Sequence, residues 1–169
     1  MRIAAFVRAK KLAQASTALV VTTALMGIPA GSAGATEADC DSIAFDSFQN
    51  VGSATVYAYG RTVHLLNGYS SQHSYARIYD GYQPGDLVWV DRSINPMPSS
   101  VPTYFSDNSY VTSRGGWKQC GPFNDRTTLQ VTNWDTATQE HFAVRACFRP
   151  RDGQPSVCGS WYVDRIYGY

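Results

Sequence analysis

The run Asp86-Leu87-Val88-Trp89-Val90-Asp91 is short, rich in β-branched and aromatic residues, and bounded by turn chemistry, and Ala54-Thr55-Val56-Tyr57-Ala58-Tyr59 has the same character. Period-two alternation puts successive side chains on opposite faces of an extended strand, so each run predicts a β-strand with one face toward a core. Outward from these runs, Gly, Pro, Ser, Thr, Asn and Asp punctuate the chain at short intervals, and no stretch shows sustained helical periodicity with caps. Several short strands at this spacing predict an all-β fold, a disulfide-stapled antiparallel β-sandwich.

The beginning of the chain has a different character. Arg2, Arg8, Lys10 and Lys11 form a basic region, an apolar run extends from Leu12 to Ile28, and Ala33-Gly34-Ala35 has the small-x-small form of a signal-peptidase site. Residues 1–35 are therefore expected to be a signal peptide, removed on export, with residues 36–169 extracellular. Within those, residues 36–53 are expected to be an N-terminal segment tied by Cys40. Residues 54–169 are expected to form the sandwich, with an irregular loop over 93–116.

The whole sequence carries 14 basic and 13 acidic residues, and the leader takes four of the basic ones, leaving ten against thirteen, a formal −3. That balance carries no electrostatic footprint for nucleic acid or an anionic membrane. All 11 Tyr lie beyond the leader, which favours β-structure and an adhesive surface.

Cys40, Cys120, Cys147 and Cys158 also lie beyond the leader, and an even count in an exported chain predicts disulfides. No C-x-x-C or His-x-x-x-His spacing supports a metal site, and neither metal nor cofactor is expected. Asp152-Gly153 is a strong hairpin signal. In a hairpin centred there, Cys147 and Cys158 stand directly opposite each other, close enough to bond. That assigns Cys147–Cys158 and leaves Cys40–Cys120 by elimination.

An imperfect internal duplication is also visible. Arg61-Thr62-Val63-His64-Leu65-Leu66-Asn67 resembles Thr127-Thr128-Leu129-Gln130-Val131-Thr132-Asn133. His73-x-x-Ala76-Arg77-Ile78 parallels His141-x-x-Val144-Arg145-Ala146, and Trp89-Val90-Asp91-Arg92 parallels Tyr162-Val163-Asp164-Arg165. If each copy were a three-stranded meander, two copies would pack face to face.

Chemistry is sparse. There is no nucleophile elbow, zinc-protease motif, phosphate-cradling loop or dinucleotide fingerprint. His73 and His141, each four residues before an arginine (Arg77, Arg145), offer one alternative, a small secreted hydrolase or nuclease, if all four share a cleft. Binding has more support. Loop 93–116 carries Met97, Tyr104, Phe105 and Tyr110, which must either tuck onto the domain or meet a partner, and Trp134 follows a strand-closing Asn. These five are the expected binding residues. Trp89 and Trp161 are expected to pack in the core. The partner is expected to be another extracellular protein, with a polysaccharide as the alternative.

At Asp80-Gly81-Tyr82-Gln83-Pro84-Gly85-Asp86-Leu87-Val88-Trp89-Val90-Asp91-Arg92-Ser93 and Gly115-Gly116-Trp117-Lys118-Gln119-Cys120-Gly121-Pro122-Phe123 the chain resembles small secreted actinobacterial proteins with such a leader, two disulfides and similarly punctuated strands. The resemblance covers most of the chain beyond the leader and carries over no activity and no functional residue. In size and style, though not residue by residue, the chain is also similar to the adaptor subunits of the umbrella-shaped toxin particles of streptomycetes. That likeness implies a place in an extracellular assembly rather than turnover of a substrate.

Overall fold

A computed structural model describes residues 37–41 and 43–165; the expected signal peptide lies outside them. Besides two 3-10 turns, Glu37–Asp39 and Gly52–Ala54, the described residues form thirteen strands and one short α-helix in chain order: β1 Phe48–Asn50, β2 Val56–Ala58, β3 Arg61–Gly68, β4 His73–Asp80, β5 Leu87–Ser93, β6 Tyr104–Phe105, α1 Ser109–Thr112, β7 Trp117–Phe123, β8 Val131–Thr132, β9 Trp134–Asp135, β10 Glu140–His141, β11 Ala143–Arg149, β12 Val157–Cys158 and β13 Trp161–Val163. The class is all-β, and every strand pairing is antiparallel.

The first sheet runs β1-β3-β4-β8, with β2 sharing the β1 edge of β3. The second runs β6-β13-β11-β5-β7, with β12 beside β13 on one edge of β11. Alternate residues of both sheets meet between them: Val63, Leu65, Ala76 and Ile78 from the first, and Val88, Val90, Val144, Ala146, Phe148 and Tyr162 from the second, all buried. Each branched aliphatic side chain enclosed this way stabilises the fold by about 1.5–3 kcal/mol, which is why the alternation sets which face of each strand turns inward. The sandwich begins with β1, so residues 48–50 of the N-terminal segment are part of it.

The disulfides are Cys40–Cys120 and Cys147–Cys158, the pairing derived from the hairpin. Cys147 stands opposite Cys158 and Phe148 opposite Val157, with the two cysteine α-carbons 4.0 Å apart. Register alone brings these sulphurs together. The duplication, by contrast, does not become two meanders. β3 and β4 lie in the first sheet while β5 lies in the second; in the other copy β8 joins the first sheet while β11 and β13 join the second. Each half contributes to both sheets, and strands placed in this way can need cover on both faces.

β11 shows that need. Val144, Ala146 and Phe148 face the first sheet, while Ala143, Arg145 and Cys147 on the other side are buried too. The cover is the long loop. Met97, Val101, Phe105 and Val111 pack with Ala143, Trp161 and Val163 into a second core on the outer face of the second sheet. Met97 and Phe105 are thus interior residues, 1% and 8% exposed, rather than displayed contacts. The long segment completes a core.

Candidate interaction face

Among the described residues, no loop of this kind covers the outer face of the first sheet. In β4, Ser74, Ala76 and Ile78 point inward, so His73, Tyr75, Arg77 and Tyr79 point outward by simple alternation. Register places Arg77 opposite His64 and Tyr75 opposite Leu66. Tyr79 stacks on His64 at 4.6 Å, and Phe48 meets Tyr75 edge-on at 4.9 Å. Partial burial and the neighbouring Arg77 lower the His64 pKa, so this imidazole is neutral at pH 7.

Across one side of this face runs the N-terminal segment, held at successive points. Cys40 is bonded to Cys120. The Asp41 amide donates to Gln130 O at 2.8 Å, and its carboxylate accepts from the Thr132 amide at 2.7 Å and from Arg92 Nη1 at 3.2 Å. The Gln130 side chain then clamps the Ala44 backbone, accepting from its N–H at 2.8 Å and donating to its C=O at 3.2 Å. Finally, Asp46 accepts from the backbone of Ser70 at 2.7 Å, of Ser71 at 2.8 Å and of its neighbour Ser47, and from the Ser70 hydroxyl. These donors hold its carboxyl well below the usual range, so it is ionised at neutral pH.

With Ala44 and Asp46 turned toward the domain, Ile43 and Phe45 turn away, because residues two apart share a side of an extended chain. Ile43 is 59% exposed and Phe45 99%. Beneath and beside them lies a groove of about 310 Å³ whose walls include Ile43, Phe45, Phe48, Tyr75 and Leu129, with Arg77 as its one cation among the described residues. The ion pairs among the described residues engage Arg61, Arg92 and Arg145, and none of them engages Arg77.

The residues expected from the sequence to bind scatter elsewhere. Tyr104 and Tyr110 are roughly two-fifths exposed, their rings against Tyr162 and Phe105. Trp134 is half-buried, edge-on to His141 at 4.6 Å. Trp89 and Trp161 are buried. Sequence reasoning passed over Ile43 and Phe45; the signal present was an apolar-small-apolar triplet standing in otherwise polar sequence between Asp41 and Asp46.

His73, His141, Arg77 and Arg145 do not form one site. His73 and Arg77 sit on the outer face of the first sheet. Arg145 lies under the loop on the far side of the second sheet, donating from Nε to Asp91 at 2.8 Å and from Nη1 to Asn108 at 2.8 Å, its guanidinium 4.2 Å above Trp161. His141 is 9% exposed, and burial lowers its pKa. Two arginines on opposite outer faces cannot grip one phosphate.

Asp91 Oδ2 lies 3.5 Å from Cys147 Sγ, and with Cys158 these atoms form a compact trio. Both sulphurs are committed to the disulfide, so the trio offers a cation one ligand rather than three. No described helix is long and apolar enough to cross a membrane. No family model, curated protein or solved structure matches this chain.

Proposed function

We propose that the protein is a secreted, non-catalytic interaction module, an adaptor or inhibitor that docks another extracellular protein on the outer face of its first sheet. One observation carries this reading. Ile43 and Phe45 are held out over a groove partly lined by apolar side chains, on a segment pinned on both sides of them by a disulfide and hydrogen bonds. An exposed Phe on a loose tail is ordinary; two apolar side chains fixed outward on an ordered strap are a prepared contact, since the entropy of ordering them is already spent on folding. Two disulfides fit an oxidising, extracellular setting.

The face suits protein better than polysaccharide. Exposed Tyr79 gives this face a phenol ring, but none of the four tryptophans, whose indoles make the flattest sugar platforms, is among the exposed large hydrophobics. Ile43 and Phe45 carry no hydrogen-bonding group, which fits an apolar partner surface.

The test is affinity capture from the producing culture's supernatant on immobilised oxidised protein, comparing wild type with the Ile43→Ser/Phe45→Ser variant. A protein retained in stoichiometric amount by wild type and lost by the variant supports the reading. Equal retention by both, or a glycan as the retained species, overturns it.

A further inference from the structure

The groove has a charge as well as a shape, and the two together specify what fits it. Asp46, the one carboxylate lining it among the described residues, keeps its charge but is saturated by donors from Ser47, Ser70 and Ser71, so it has little hydrogen-bonding capacity left for a ligand. Arg77 is exposed, one strand position from Tyr75 on the same face, with its fork of donors unclaimed by any carboxylate among the described residues. Arginine presents two parallel N–H groups that match a carboxylate. The remaining walls are mixed, with Ile43, Phe45, Phe48, Tyr75 and Leu129 beside Thr127, Thr128 and Gln130.

The molecule also shows how a chain is held here. The side chain of Gln130 both donates to and accepts from one backbone unit, Ala44, as a neighbouring strand would, and keeps residues 43–45 extended against the domain. The groove stays open beside that segment, so a second chain can lie along it without being engulfed. A volume of about 310 Å³ is at the low end for small-molecule pockets, about 300–1,000 Å³, and suits one or two side chains of a passing segment better than a whole cofactor. A nucleic acid or lipid surface would need several cations, and the groove has one among the described residues.

We infer that the occupant is an extended segment of the partner protein carrying an apolar side chain beside an Asp or Glu. The apolar side chain enters between Phe45, Phe48, Tyr75 and Leu129, and the carboxylate pairs with Arg77. This rests on the reading of the face as a docking surface.

The experiment pans a phage-displayed library of random linear peptides on the oxidised wild-type protein, on Arg77→Glu and on Phe45→Ser. The inference expects wild type to enrich peptides with an aromatic or aliphatic residue next to, or one removed from, an acidic one. Arg77→Glu should exchange the acidic residue for a basic one, and Phe45→Ser should enrich nothing. A synthetic consensus peptide should then bind Arg77→Glu about tenfold or more weakly than wild type, with Arg77→Lys in between. The lysine variant retains the charge and exposed stem, so it reports on charge pairing even if the glutamate variant folds poorly.

A consensus without an acidic residue, the same consensus on Arg77→Glu, or no enrichment on wild type overturns the inference. Capture of a protein lost with Ile43→Ser/Phe45→Ser would leave the docking face standing in those cases. Sedimentation of the same samples distinguishes the remaining occupant. Phe45-Asp46 is itself an apolar-acidic pair, and a wild-type dimer abolished by Phe45→Ser would assign the groove to a second copy and overturn the heterologous segment.

Discussion

Asp91 should make this protein more stable, relative to a variant without that carboxyl, as the solution is acidified from pH 7 toward pH 4.5. It lies on β5 directly opposite Arg145 of β11, under the loop that covers the second sheet. Arg145 Nε donates to Oδ2, while Oδ1 is without a hydrogen bond among the described residues, and burial outweighs Arg145 and Trp89 so that the pKa rises from 3.8 to about 6. A carboxyl whose folded pKa is raised takes up its proton more readily when folded. Its contribution is therefore fully present below pH 3.8 and lost as pH climbs through 6. The interval from 3.8 to about 6, at about 1.4 kcal/mol per pH unit, comes to about 3 kcal/mol. Of this, about 2 kcal/mol should appear between pH 7 and pH 4.5, or roughly 8 °C in Tm.

His64 and His141 act in the opposite direction over an overlapping range. Burial lowers both pKa values, so their contribution is present above 6.5 and is lost as pH falls. The assay therefore compares wild type with Asp91→Asn by thermal or urea unfolding at both pH values, because the histidine contributions cancel in the difference. Asp86, Asp107 and Asp135, whose pKa values are lowered, lose their contribution only below 3.8, outside the range. A wild-type profile parallel to that of Asp91→Asn would refute the reasoning and show Asp91 ionised in the folded protein at pH 4.5.

Two further outcomes follow from the packing. Met97→Ala should cost about 2–5 kcal/mol in urea unfolding, because the side chain is 1% exposed between the loop and the second sheet; a change under about 0.5 kcal/mol would mean the loop is not a core element. Removing Cys40–Cys120, which spans 80 residues, should destabilise more than removing Cys147–Cys158, which spans 11. Loop-closure entropy gives about 4.5 against about 2.8 kcal/mol, checked by unfolding the two double-serine variants, and the reverse order would show that closure entropy is not what these bonds contribute.

The position of Phe45 explains why the candidate face escaped the sequence. The aromatic residues that drew attention were those in long or irregular segments, and Met97 and Phe105 proved to be the ones a core required. Whether an apolar side chain in a loop is displayed or enclosed depends on which strand lies beneath it. Under Met97 that strand is β11, whose outer face presents Ala143, Arg145 and Cys147 and needs a cover. Under Phe45 there is a face already lined with half-polar rings, and Gln130, 86 residues away in sequence from Ala44, holds the backbone so that Phe45 points to solvent.

Local chemistry determined the rest. Alternation with period two made the strands, Asp152-Gly153 set a register that brought Cys147 opposite Cys158, and elimination then joined Cys40 to Cys120. Those features act over neighbouring residues or through a turn, so they can be seen in one dimension. The crossing of each repeated half between both sheets, the burial of the loop, the pairing of Arg145 with Asp91 and the groove beside Arg77 depend on contacts between segments far apart in the chain. Tertiary packing alone chose among them, because burial is a property of what lies opposite a side chain, and sequence does not state what lies opposite.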